Sequence, residues 1–270
     1  MNHHGIDNSF LYAVSQIKVL FSNGKPDETM QCDGTGFFIK KGKKEFFITN
    51  RHVLDPERSE DMAGKGYSIT QIVLDHRNYD LTANKPLSEE RVVKQCHWFF
   101  AENDFDDIAC IINIEYYNES VVRKVNIDFN MLATSDMFLN SFTICDMLAF
   151  IGFPRDQYDD MHKLPIVRCG IISSDPRINY PVHGSDMGNA VAYETFSTPG
   201  SSGSPVFALQ KGIQLGNGLT GSADFYRPVK LIGINTGHKN DPNTGVHSQL
   251  SYFYRSDRII AIIEAAEKQQ

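Results

Sequence analysis

Pro199-Gly200-Ser201-Ser202-Gly203-Ser204-Pro205 lies between two apolar runs, Val191–Phe196 and Val206–Leu209. A flexible Ser-Gly linker would be longer and would not sit between strands, and Pro205 fixes the direction in which the chain leaves. The stretch therefore reads as a tight turn that holds a hydroxyl exposed. Gly200 can adopt backbone angles closed to other residues, which lets its N–H and that of Ser202 point the same way, as paired donors for an oxyanion. Gly203 leaves space beside Ser202.

Two further stretches supply what a serine hydroxyl lacks. Phe46-Phe47-Ile48-Thr49-Asn50-Arg51-His52-Val53 is an apolar run ending in a polar turn that carries a histidine. Asp107-Ile108-Ala109-Cys110-Ile111-Ile112 sets a carboxylate immediately before a run so apolar that it must be an interior strand. Taken singly, a histidine at a strand end is more often structural, and such an aspartate can merely mark the strand's edge. Together they make a nucleophile, a base and a carboxylate that orients the base, because serine attacks only when an imidazole takes its proton.

The rest of the chain is compatible with a soluble β protein. Its 270 residues are 41% apolar, enough to bury a core, and its formal charge of −7 argues against a nucleic-acid partner. Lys40, Lys41, Lys43 and Lys44 surround Gly42 between apolar runs and read as a solvated hairpin tip. Cys32, Cys96, Cys110, Cys145 and Cys169 cannot all pair and show no Cys-x-x-Cys spacing, so reduced, mostly buried thiols are expected. No window approaches the roughly 18 apolar residues of a membrane span, and no basic stretch followed by an apolar run opens the chain; a cytoplasmic protein without membrane contact is the expectation.

Short apolar segments broken by Gly, Pro, Asn and Asp predict strands at Tyr12–Phe21, Thr35–Lys40, Glu45–Thr49, Ser68–Leu74, Val92–Phe100, Ile108–Ile114, Met147–Ile151, Ile166–Ser173, Val191–Thr195, Pro205–Leu209 and Lys230–Asn235. Only the carboxyl end is helical in pattern: Ser256 is a candidate N-cap, followed by Ile259, Ile260, Ile263 and Ala266 on one face. The polar stretches Asp55–Gly66, Asp156–Lys163 and Lys211–Tyr226 read either as binding surfaces or as mobile loops.

The order His52, Asp107, Ser202 is that of the chymotrypsin group and differs from subtilisins and α/β-hydrolases. The sequence resembles a trypsin-like serine peptidase of the disulfide-free kind that includes the HtrA-like (high-temperature-requirement) proteases. The resemblance rests on Gly34-Thr35-Gly36-Phe37-Phe38-Ile39, on the Thr49-Asn50-Arg51-His52 block, on Trp98 through Asp107-Ile108-Ala109, on Gly200-x-Ser202-Gly203-x-Pro205, on Ile151-Gly152-Phe153-Pro154 and on Leu231-Ile232-Gly233-Ile234. It spans roughly Tyr12 to Ala266.

The resemblance implies an all-β fold of two six-stranded antiparallel barrels and a C-terminal helix: a tail over 1–11, a first barrel over 12–130, a second over 131–255 and the helix over 256–270. It implies a serine endopeptidase with His52, Asp107 and Ser202 as the triad, Gly200 and Ser202 as the oxyanion donors, a protein or peptide as substrate, and no metal or organic cofactor. Asp106 competes with Asp107, but the family pattern places the acid directly before the Ile-Ala pair; Asp104 and Asp106 are then solvated loop carboxylates. Phe196, Asn235, Thr236, Gly237 and His238 fall, by family position, near the pocket for the residue before the scissile bond. His238 would favour a polar or acidic side chain there, or is a surface-loop histidine. Without an Arg/Lys-Ile/Val-Val/Ile-Gly-Gly activation site, control would fall to loops, an activating partner or a homo-oligomer. The alternative is a catalytically silent scaffold that binds a protein.

Overall fold

Alternation along two strands fixes the architecture. In the computed structural model, which describes residues 5–25, 28–119, 122, 124–155, 157–181, 188–212, 226–241 and 243–269, β3 (Lys44–Thr49) and β6 (Ala109–Tyr116) pair antiparallel with Ile48 opposite Cys110. Successive side chains leave a strand on opposite faces. Phe47, Ala109 and Ile111 accordingly point into one cluster, with Ile17, Val19, Phe21, Phe38, Ile72 and Leu74. Phe46, Ile48, Ile108, Cys110 and Ile112 point the other way, into a second cluster shared with Ile151, Phe207, Leu231 and Ile234. One face fills a barrel; the other joins that barrel to its neighbour.

The first barrel runs β1 (Val14–Ser22), β4 (Ser68–Asp80), β5 (Lys85–Phe100), β6, β3 and β2 (Thr29–Lys41), all antiparallel, and closes where β1 pairs with β2. A short β7 (Ile127–Asp128) lies parallel to β2. The second barrel closes in the order β10 (Ala190–Glu194), β13 (His247–Arg255), β12 (Lys230–Asn240), β11 (Pro205–Ala208), β8 (Met147–Gly152), β9 (Ile166–Ile172). Its interior holds Phe138, Phe142, Leu148, Phe150, Val191, Tyr193, Val206, Ile232 and Phe253. Helices α1 (Arg51–Leu54) and α2 (Ser135–Asn140) are short, and α3 (Ser256–Glu267) closes the chain. The expected two six-stranded antiparallel barrels and terminal helix are thus the observed fold.

Details differ from the sequence reading. Strands β7 and β13 were not among the predicted ones, and β13 completes the second barrel. Ser256 is the first helical residue, preceded by Arg255 at the cap position; its Oγ donates to Ala133 O at 2.7 Å, because the residue is buried and cannot turn back to cap the helix. The buried face of α3 is Ile259, Ile262, Ile263 and Ala266, with Ile260 at its edge. The lysine group is the β2–β3 hairpin, with Lys41 opposite Lys44 and Gly42 at φ 61°. Lys41 is not fully solvated: its Nζ lies 2.6 Å from Glu267 Oε2 and over the Phe129 ring. All five cysteines are free, but only Cys110 is fully buried, while Cys145 and Cys169 are exposed. Most of the stretch Lys211–Tyr226, and Asp156 at the start of another predicted loop, lie outside the described residues.

Candidate active site

The seam between the barrels collects the chemistry. β3 ends at Thr49, Asn50 turns the chain, and His52 rides on the single turn of α1; Asp107 stands just ahead of β6; Ser202 stands just ahead of β11; and Thr236 follows the buried half of β12. Each is held by strands whose own side chains are locked in the two cores.

His52 Nδ1 lies 2.6 Å from Asp107 Oδ2, and the His52 backbone N–H donates to Asp107 Oδ1 at 2.8 Å. Asp107 Oδ2 also accepts from Thr236 Oγ1 at 2.6 Å, and Asn50 Nδ2 donates to the Asp107 carbonyl at 2.7 Å. Burial would push the Asp107 carboxyl up, but the His52 charge and the hydrogen bonds from His52 and Thr236 outweigh it and hold it below the usual carboxylate range. Burial would likewise push the His52 imidazole down; the Asp107 carboxylate more than offsets this, and the ring titrates above its ordinary value despite the Arg58 charge nearby. With Nδ1 committed to Asp107, Nε2 is the nitrogen able to act as a base. The His52 turn is braced from outside, where Arg51 Nε meets Asp55 at 2.8 Å, Arg51 Nη1 meets Asp104 at 2.5 Å, and the guanidinium lies over Phe100.

Ser202 Oγ donates to the Thr236 carbonyl at 3.3 Å; among the described residues no hydrogen bond joins it to His52. Thr236 therefore touches both halves of the site, through its carbonyl to Ser202 and through its hydroxyl to Asp107. Gly200 and Gly203 both have positive φ, 90° and 89°, and a Cβ on Gly203 would come within 1.9 Å of Thr35 O. Pro199 O accepts from Arg155 N at 2.8 Å, Gly200 O from Thr35 Oγ1 at 2.7 Å and Ser202 O from Thr35 N at 2.8 Å. These bonds turn the carbonyls of the loop into the protein, onto Thr35 and Arg155, and among the described residues neither the Gly200 nor the Ser202 N–H is consumed by a protein acceptor. Two free amides beside a serine make an oxyanion-binding arrangement.

A model of the trypsin-like peptidase domain matches residues 34–216. The chain belongs to that family. Two solved structures share its fold. Deg5 is 18% identical, with 94% of this chain and 88% of that chain aligned at a TM-score of 0.50. The HtrA-type protease AlgW, solved with a decapeptide, is 17% identical, with 95% of this chain and 65% of that one aligned at a TM-score of 0.54. A search of curated proteins gave no match.

Within this trypsin-like peptidase domain the pocket candidates separate. Asn235 is fully buried: its Nδ2 donates to Ser197 Oγ at 3.1 Å and Ser201 O at 3.0 Å, and its Oδ1 accepts from Tyr193 at 2.7 Å. It braces the Pro199–Pro205 turn from beneath, with both of its amide atoms engaged. Thr236 serves Asp107. Gly237 packs against Tyr252, whose hydroxyl would be 2.6 Å from an added Cβ. Phe196 and His238 remain near the surface, bridged by His247. Asp106 is not solvated: it is 1% exposed and its Oδ1 accepts from Asn189 N at 2.8 Å, tying the first barrel to the start of β10. Asp104 is exposed and pairs with Arg51 and Arg58.

Sequence reasoning missed the role of Thr35. Its Oγ1 donates to Gly200 O and accepts from Phe153 N at 3.1 Å, while its carbonyl takes Thr49 Oγ1 at 2.8 Å. A hydroxyl residue framed by Gly34 and Gly36, in a strand otherwise turning apolar, was the available sign.

Proposed function

We propose that the protein is a serine endopeptidase. Ser202 Oγ attacks the peptide carbonyl as His52 Nε2 takes its proton, Asp107 holds the ring by Nδ1 and stabilises the imidazolium, and the Gly200 and Ser202 amides receive the oxyanion. His52 then protonates the departing amine, and water enters by the same route in reverse to release the acyl group. The observation that carries this reading is the continuous chain Ser202–Thr236–Asp107–His52 beside a loop whose Gly200 and Ser202 N–H groups meet no protein acceptor among the described residues. The decapeptide held by AlgW is in keeping with a protein or peptide substrate.

A silent binding scaffold is favoured by one observation, the Ser202 hydroxyl bonded to Thr236 O and not to His52. Labelling with a fluorophosphonate, followed by mapping of the adduct, decides between the two readings. An adduct on Ser202 that disappears in His52→Ala is the expected result; an unlabelled protein that retains a stoichiometric, uncleaved partner equally in wild type and Ser202→Ala would establish the scaffold.

A further inference from the structure

The interior of the first barrel changes character along its length. Toward the His52 end it is filled by Phe47, Ala109, Ile111 and their apolar neighbours. Toward the other end the inward-facing positions turn polar. His76 follows Leu74 by two residues on β4, and Arg91 on β5 stands directly opposite Leu74; Lys40 follows Phe38 by two on β2, and Glu45 on β3 stands opposite Lys40. With Tyr116 from the end of β6 and Lys124 from the segment beyond it, these side chains line a cavity of about 790 Å³ at the barrel mouth.

Arg91 has no acceptor there. It is 9% exposed and its guanidinium lies 3.9 Å from the Tyr116 ring centroid, but among the described residues it makes no hydrogen bond and no ion pair. A ring contact leaves the five N–H donors of a guanidinium unused. The carboxylates nearby are engaged with other groups. Glu45 Oε2 lies 2.6 Å from Lys124 Nζ and its Oε1 accepts from Asn126 Nδ2 at 2.8 Å, while Glu89, opposite His76, accepts from Val122 N at 3.4 Å. Lys40, exposed at the rim, also enters no ion pair among the described residues.

His76 registers the balance of charge in the cavity. Burial pushes its pKa down, the Lys124 and Arg91 charges push it further, and Glu89 and Glu45 each oppose this by less. The imidazole is therefore neutral at pH 7 and is no cation itself, yet it lies in a positive field. Its Nε2 is 2.7 Å from the Tyr116 hydroxyl and its Nδ1 is buried without a partner. A mouth that was merely plugged would pair its charges, as Lys124, Glu45 and Asn126 do. Arg91 stands outside that network, beside a cavity of the size that holds small ligands, where an oxyanion would supply the missing acceptor.

We propose that the mouth of the first barrel binds a small organic oxyanion, a phosphate monoester or a carboxylate, whose charged group pairs with Arg91 and Lys40 and whose apolar body lies against Val122 and Val125. The site is at the opposite end of β3 from the His52 turn and does not depend on the serine reading.

The test is calorimetric titration of the full-length protein at pH 7.5 and fixed ionic strength with phenyl phosphate, with benzoate and with benzamide, the neutral counterpart of benzoate. One of the two anions or both should bind once per chain, at least about tenfold more tightly than benzamide, the worth of one charge-assisted hydrogen bond; comparison of the two anions tells phosphate from carboxylate. Arg91→Gln should abolish the preference for the anion. Lys40→Glu, at an exposed position where folding is not at stake, should weaken the anion by at least about tenfold, whereas Lys25→Gln, in the turn at the other end of β2, should leave it unchanged. Neither anion binding more tightly than benzamide, or an anion affinity unmoved by Lys40→Glu or by a folded Arg91→Gln protein, overturns the inference.

Discussion

Thr236 Oγ1 stands 2.6 Å from Asp107 Oδ2, on the same oxygen that faces His52 Nδ1. The carboxylate is 17% exposed and so depends on protein donors. Without the hydroxyl it must be solvated less well or turn, and either change loosens the His52 ring. Thr236→Val should slow fluorophosphonate labelling of Ser202 by about ten- to hundredfold, the worth of one hydrogen bond to a charged group. Thr236→Ser should restore most of it. Labelling at the wild-type rate in the valine variant would show that Asp107 needs no such support.

The pH dependence expected for labelling of Ser202 follows from the same pair. His52 must be neutral to accept a proton, and Asp107 holds its pKa above the ordinary imidazole value. The labelling rate should therefore rise with pH through a midpoint above about 6.5, the unperturbed value. In Asp107→Asn the raising charge is gone while burial still lowers the ring, so the midpoint should move down as the maximal rate falls by about 10⁴-fold. A midpoint that stays in place would mean that the titration belongs to another group.

Thr35 links the barrels through the Pro199–Pro205 loop, donating to Gly200 O and accepting from Phe153 N. Thr35→Val removes both bonds and leaves two polar backbone groups without partners. Labelling should slow by about tenfold or more and the unfolding midpoint should fall, consistent with about 1–3 kcal/mol for each unsatisfied buried group. Thr35→Ser, which keeps the hydroxyl, should behave like wild type in the labelling assay, an outcome that separates the bond from the volume of the methyl group.

The legible parts of this fold were those where one residue type excludes alternatives. The apolar runs of β3 and β6 could only be interior strands, and Pro199–Pro205 could only be a turn. β13 was missed because His247-Ser248-Gln249-Leu250 is polar where the hairpin projects beyond the barrel, and Tyr252-Phe253-Tyr254 follows without alternation. Asp106 read as a loop carboxylate because its partner, Asn189 N, is 83 residues away, and no local pattern encodes a long-range backbone bond. Asn235 misled for the same reason: its position beside Ser202 was legible, but the inward direction of its amide was set by Ser197, Ser201 and Tyr193 together.

His76 supplies a prediction remote from the site. It is 2% exposed on β4, its Nε2 lies 2.7 Å from the Tyr116 hydroxyl, and burial, followed by the charges of Lys124 and Arg91, brings its pKa down to about 4. Below the unperturbed value of about 6.5 the unfolded chain binds a proton that the folded protein refuses, so stability is complete above that pH and is lost progressively down to about pH 4. At pH 5 the loss should be about 2 kcal/mol, an order-of-magnitude figure. Urea unfolding at pH 7.5 and pH 5 reads it directly. His76→Gln can keep a bond to Tyr116 and cannot titrate; it should be less stable at pH 7.5 yet lose about 2 kcal/mol less on acidification. Equal losses in variant and wild type would mean that His76 takes up its proton in the folded state as readily as in the unfolded one.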